Sequence, residues 1–184
     1  LRFRQDARAF GESRRILPVL RSRISVDESR RMVYGGSWPV ATTGDLDGSE
    51  IQIDYDQDIE AALFVLIHLF GHTVQWNLSA RAREIGSAVA QSPTPELLQE
   101  LYEYELEACR YSLALLHANG VYDLDQWVAD YAHCDFAYLH HFYVHGEKRP
   151  FRSFWVSGTP KLEELAVPEF RPTRWISRGE GIVI

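Results

Sequence analysis

The chain is poor in cysteine: Cys109 and Cys134 are its only two among 184 residues. So few thiols exclude a disulfide-built scaffold and suit a reducing compartment, so a cytoplasmic location is expected. Long apolar runs are missing as well. The longest, Ala61 to Ile67, falls far short of the ~18–20 residues of a membrane span, so no membrane partner is expected. The opening Leu1-Arg2-Phe3-Arg4 lacks both the charged-then-apolar layout of a signal peptide and an initiator Met, which leaves targeting partly open. There is no internal repeat, no low-complexity tract and no linker. A phosphate-cradling glycine loop and a serine-nucleophile elbow are also absent, which removes two large enzyme classes.

What remains is a packed globule. Hydrophobic residues make up 46% of the chain and aromatics 12%, enough for a sizeable core, and one domain over 1–184 is the economical reading. The net charge of −7 is unevenly spread: residues 1–31 hold nine arginines against four acids, +5, which leaves −12 for the rest. This basic arm reads as an amphipathic helix whose arginines face water or pair with the acidic body. It is the only candidate contact for nucleic acid, and without the aromatic interleaving that stacks bases, nucleic-acid binding is not expected.

Periodicity divides the chain. Phe10, Ile16, Leu17, Leu20 and Ile24 suggest helical stretches from about 6 to 24, interrupted near Pro18. Ser25-Val26-Asp27-Glu28 has the form of a capping box, so a short helix is expected there. Three strand-like segments follow, at Met32–Tyr34, Val40–Thr43 and Glu50–Asp54, with turns at Gly35-Gly36 and Gly44–Gly48. Three helices are expected next, over about 57–77, 95–118 and 125–145. Thr94 and Pro95 start the second, Asn119-Gly120 stops it, and Gly146 ends the third. Residues 147–184 read as an extended C-terminal segment whose last residues, Gly181–Ile184, dock as a strand. The fold class is therefore α+β: a small N-terminal antiparallel or mixed sheet, then a three-helix core.

Chemistry concentrates on the first of those helices. His68 and His72 stand four apart, and one helical turn brings both imidazoles to one face, within reach of a single ion. The next helix carries Glu103, Glu105 and Glu107, and a His₂Glu set with one open position is a known zinc solution. Glu105 shares a face with Cys109, which leaves a thiolate ligand open as an alternative. On the third helix Asp130, His133, Asp135, His140, His141 and His145 recur among tyrosines. His140 and His141 are the weak catalytic candidates there, as donors to a developing oxyanion.

The order of strand Ile51–Asp54, helix with His68 and His72, and helix with Glu105-Leu106-Glu107-Ala108-Cys109 resembles the gluzincin-type zinc metallopeptidases, most of all the ImmA/IrrE group. There a strand precedes an H-E-x-x-H helix, and an E-x-x-A-[ND] segment gives the third ligand. The resemblance covers roughly 50–118 and implies a zincin-like fold with zinc on His68, His72 and Glu105, and Ala108 as the small packing residue. Two positions depart from it. Leu69 stands where the general-base glutamate belongs, and losing such a base costs about 10²–10⁴ in rate. Cys109 stands where an Asn or Asp would orient a ligand. Glu60 and Asp58 lie too early on the helix to fill the base position.

Three functions follow as expectations. The first is a metallopeptidase-like protein with a degenerate metal site, catalytically impaired, acting as a binding or regulatory module toward a peptide or protein partner. The second is an active zinc hydrolase whose base is a His or Asp of the third helix. The third is a metal-free helical scaffold in which His68 and His72 are core residues.

Overall fold

Every residue from Leu63 to Trp76 is buried. A helix with no polar stripe cannot lie on a surface and must be packed on several sides. A computed structural model, which describes residues 25–27, 44–53, 59–87 and 93–176, places this run in helix α1, Ile59–Leu78. By length and composition Glu60–Leu78 also meets the criteria for a membrane span, but 78% of that window is buried inside the fold, as in a core helix. Around α1 stand strands β1 (Ser25–Asp27), β2 (Gly44–Leu46) and β3 (Glu50–Ile53), then helices α2 (Ala80–Ser87), α3 (Pro95–Ala118) and α4 (Asp125–His145), then a 3₁₀ turn, Phe151–Phe154. Among the described residues this is an α+β fold of four helices and one small sheet.

The sheet has the order β1-β3-β2. Central β3 pairs in parallel with β1, Val26 opposite Ile51, and antiparallel with β2, Leu46 opposite Ile51. Ile51 is wholly buried, and β2 and β3 both pack on α1. Two expectations are corrected here. Ser25–Asp27 is a strand and does not open a helix, because its backbone groups find partners in the β3 ladder, which outweighs a local capping preference. Gly44–Leu46 is strand as well, so the turn shrinks to Asp47–Ser49. There Asp47 Oδ1 accepts from Ser49 N at 2.8 Å, Ser49 Oγ at 2.9 Å and Glu50 N at 2.8 Å. The rest of the basic arm expected over 1–31, the segments Met32–Tyr34 and Val40–Thr43, the turn Gly35-Gly36, and the terminal strand Gly181–Ile184 lie outside the described residues.

Helix boundaries follow capping chemistry. Thr94 Oγ1 accepts from Leu97 N at 3.3 Å and Pro95 takes the first position of α3, while Gly146 closes α4 at φ 65°. Helix α2 was not foreseen. Ser79 starts it by accepting from Ala82 N at 3.2 Å, and its Ala82 and Ile85 pack on Leu101 and Tyr104 of α3.

Helices α1 and α3 approach until their backbones touch. A Cβ built on Gly71 would overlap the backbone of Ala108, so this crossing tolerates no side chain at 71. Gly71→Ala is therefore expected to lower the free energy of unfolding by about 1–3 kcal/mol, the cost of overpacking a filled core, as read from urea denaturation.

The described segment after Gly146, through residue 176, is pinned to the helices and the sheet at several points. Thr159 N and Oγ1 both donate to Asp130 Oδ1 at 2.9 Å, Leu165 N donates to Arg110 O at 3.2 Å, and Trp175 N donates to Asp47 O at 2.8 Å. Another pin is ionic. His117 of α3 bridges Asp125 Oδ1 at 2.9 Å and Glu164 Oε2 at 2.7 Å. Burial alone would depress the imidazole, but those two carboxylates overcome it and hold His117 above its ordinary value of 6.5. A raised folded value stabilises fully below the unfolded value, and that stabilisation is lost as pH rises through the folded one. Between about pH 5.5 and 8, the gap in Tm between wild type and His117→Gln should thus be widest at the acid end and shrink as pH rises.

Candidate metal centre

One helical turn of α1 sets His68 above His72, and the Gly71 crossing brings Glu105 of α3 against both. His68 Nε2 lies 2.9 Å from Glu105 Oε2, His72 Nε2 lies 3.1 Å from the same oxygen, and the two ring nitrogens are 3.0 Å apart. The histidines are each 1% exposed. Of the three glutamates on α3, Glu105 is the one at the histidines. Glu103 is exposed and accepts from Gln99, and Glu107 accepts from Gln75.

The ring of His72 is oriented by its neighbours. Gln75 Nε2 donates to Tyr104 O at 2.8 Å and to Glu107 Oε2 at 2.7 Å. The amide nitrogen is thereby committed, so Gln75 Oε1 is the atom 2.8 Å from His72 Nδ1. An amide oxygen only accepts, so Nδ1 carries a hydrogen, and the ring turns its Nε2 toward His68 and Glu105. Tyr104 stacks on the ring at 4.4 Å, and its hydroxyl accepts from Trp76 Nε1 at 2.9 Å. His68 stacks on Phe64 at 5.3 Å, and its Nδ1 lies 3.3 Å from Cys109 Sγ. Cys109 therefore stands on the outer nitrogen of His68. Burial pushes its thiol well above the ordinary value, and Asp135 and Glu105 add to the shift.

Electron-rich atoms so close repel unless a proton or cation lies among them. Burial would raise the Glu105 carboxyl, yet His72 and His68 overcome that and hold it well below the usual carboxylate range. The three donor atoms all lie within 4.8 Å of one another, and the group could hold a metal ion. Ligands at ~2.0–2.2 Å from one ion stand about 3–3.6 Å apart, so the arrangement fits with little rearrangement.

A fourth group comes from α4. Asp135 is 3% exposed, its Oδ2 lies 4.0 Å from His68 Nε2, and among the described residues that oxygen has no hydrogen-bond partner. Burial pushes this carboxyl up to about 7, with His68 opposing the shift and Glu105 adding to it. The other α4 residues go elsewhere. His133 is exposed, Asp130 holds Thr159, and His141 meets His145 at 4.6 Å and Glu147 at 3.8 Å. His140 borders a pocket of about 50 Å³ between α3 and α4, whose lining includes Glu105, Tyr102, Phe136 and Tyr143. Glu60 is taken by Trp127 Nε1 and Arg152 Nη2, both at 2.7 Å, and Asp58 lies outside the described residues.

Leu69 points away from this chemistry. It is wholly buried in the main core, grouped with Leu66, Phe70, Ile51 and Leu113. Leu69→Glu would place an unpaired carboxylate there, and burying a charge without a partner costs several kcal/mol. We expect the variant to lose stability by about 3 kcal/mol or more, or to fail to fold, with no gain of peptide cleavage. Urea denaturation beside a peptide-library digest reads both.

Compared with protein-family models, curated proteins and solved structures, the chain matches none.

Proposed function

We propose that this chain holds a zinc ion on His68, His72 and Glu105 in a zincin-like, metallopeptidase-like arrangement that has lost conventional peptide hydrolysis. The observation that supports this most is the inward-facing Nε2 of His72. Gln75 orients that nitrogen as a ligand, toward two further donor atoms at 3.0 and 3.1 Å. A core histidine serving packing alone has no need of such an arrangement. Cys109 Sγ suits the same reading, because with Nε2 facing an ion His68 Nδ1 carries the hydrogen and donates to the sulfur. Zinc so placed would supply Lewis acidity and a polarised water.

The loss of conventional hydrolysis rests on Leu69, whose side chain belongs to the core, and on access. Glu105 is the most exposed of the three donors at 14%, and the pocket reaching it is far smaller than the ~300–1,000 Å³ typical of ligand sites. The protein is then a metal-centred module that binds or regulates a peptide or protein partner rather than a peptidase. The second reading, a hydrolase with an unconventional base, draws support from one observation, Asp135.

Metal analysis tests the proposal. Protein purified with added zinc should carry one ion per chain and melt at a higher temperature than chelator-treated protein. His72→Ala and Glu105→Ala should each lose the ion and the shift. Gln75→Ala should weaken zinc about 10–100-fold without abolishing it, the usual cost of removing a group that orients a ligand. Trace zinc in wild type and no melting shift would overturn the proposal.

A further inference from the structure

We propose that Asp135 takes over the role that Leu69 leaves vacant: from α4, its Oδ2 would accept the proton of a water held beside His68. The inference rests on the metal site proposed above and takes up the second reading of it, a hydrolase with an unconventional base. A site with three protein donors and one open position needs an acceptor beside that position if water is to attack. Helix α1 offers none, since Leu69 is in the hydrophobic core and Glu60 is bound to Trp127 and Arg152.

Asp135 meets the requirements of geometry. Its Oδ2 is buried, has no hydrogen-bond partner among the described residues, and lies 4.0 Å from the inward nitrogen of His68. A buried carboxylate oxygen left without a partner is costly, and folds keep one where something else satisfies it. Asp135 is also outside the set of donors that lie within 4.8 Å of one another, which His68, His72 and Glu105 form. It thus stands one step out from the ligands, where a group would meet a water rather than the ion.

The chemistry balances as hydrolysis of a small acyl ester or amide. The water oxygen forms a bond to the acyl carbon, and its proton passes to Asp135 Oδ2. The bond from carbon to the leaving oxygen or nitrogen then breaks, and Asp135 returns the proton to the departing alcohol or amine. Of the site residues Glu105 alone lines the pocket of about 50 Å³ between α3 and α4, and from that side there is room for no more than a short acyl group.

The test uses the full chain loaded with Co²⁺, whose visible absorption reports the ligand field. Three measurements are made on wild type, Asp135→Asn and His72→Ala: Co²⁺ affinity, binding of acetohydroxamate to the ion, and chelator-sensitive hydrolysis of p-nitrophenyl acetate. Asp135→Asn should bind Co²⁺ within about 10-fold of wild type, bind acetohydroxamate at least about 10-fold more weakly, and lose about 10²–10⁴ in turnover. Asp135→Ser serves if the Asn variant does not fold. Unchanged turnover in the Asp135 variant would overturn the proposal. So would a loss of Co²⁺ affinity beyond about 100-fold, which would make Asp135 a ligand. If wild type binds Co²⁺ but shows no metal-dependent turnover, the Asp135 proposal fails while the metal reading stands. If wild type and His72→Ala alike bind no Co²⁺, the metal reading itself fails.

Discussion

The contact of Gly71 with the backbone of Ala108 is the constraint on which the rest of the site depends. Side chains at a helix crossing normally keep axes 8–10 Å apart, and a glycine facing an alanine lets them come closer. Here the approach lets Ser112 Oγ donate to Ile67 O or Ala108 O, both at 2.8 Å, and lets Gln75 of α1 reach Tyr104 O on α3. The same closeness carries Glu105 to the two histidines and Cys109 to the outer nitrogen of His68. A wider crossing would leave each of these polar groups buried and short of its partner, so packing and chemistry share one origin.

That sharing explains the electrostatics. Glu105, Asp135, His68 and His72 are gathered where burial penalises every charge. Proteins that bury ionisable groups pair them, coordinate them, or neutralise them by shifting protonation. Glu105 is held ionised by the imidazoles, and Asp135 is pushed the other way because it has fewer favourable neighbours. In the proposed reading a dication would balance both carboxylates. The aromatic surroundings, with Phe64 on one imidazole and Tyr104 on the other, then act as walls that hold the rings in place and keep bulk water out.

Much of this was legible in the sequence, and what was not has a common cause. Thr94-Pro95 and Gly146 mark helix ends because caps act within a few residues, and the structure places α3 and α4 at the expected bounds. The turn of α1 between His68 and His72 was equally local, and the approach of Glu105 followed once a return helix was granted. Strand β1 was misread because its partner, β3, lies some 25 residues on, and a capping pattern spans four. Gln75 passed unnoticed as a functional residue because its role comes from Tyr104 and Glu107 on another helix. Asp135 was one of several polar residues on α4, and only the packing of α4 shows which of them faces the histidines.

Leu69 connects these points. Successive helix residues are rotated by about 100°, so the residue after His68 leaves the face that His68 and His72 share. In a helix exposed to a cleft, that rotation still leads to solvent and a carboxylate can sit there. In α1 it leads into the core beside Ile51 and Leu113, where only an apolar side chain is tolerated without a partner. Leucine at 69 is therefore what the packing of α1 requires, and not merely a missing glutamate. Any proton acceptor for this site has to come from an element that reaches the histidines from outside α1, and among the described residues the carboxylate with an unpartnered oxygen nearest His68 is that of Asp135 on α4.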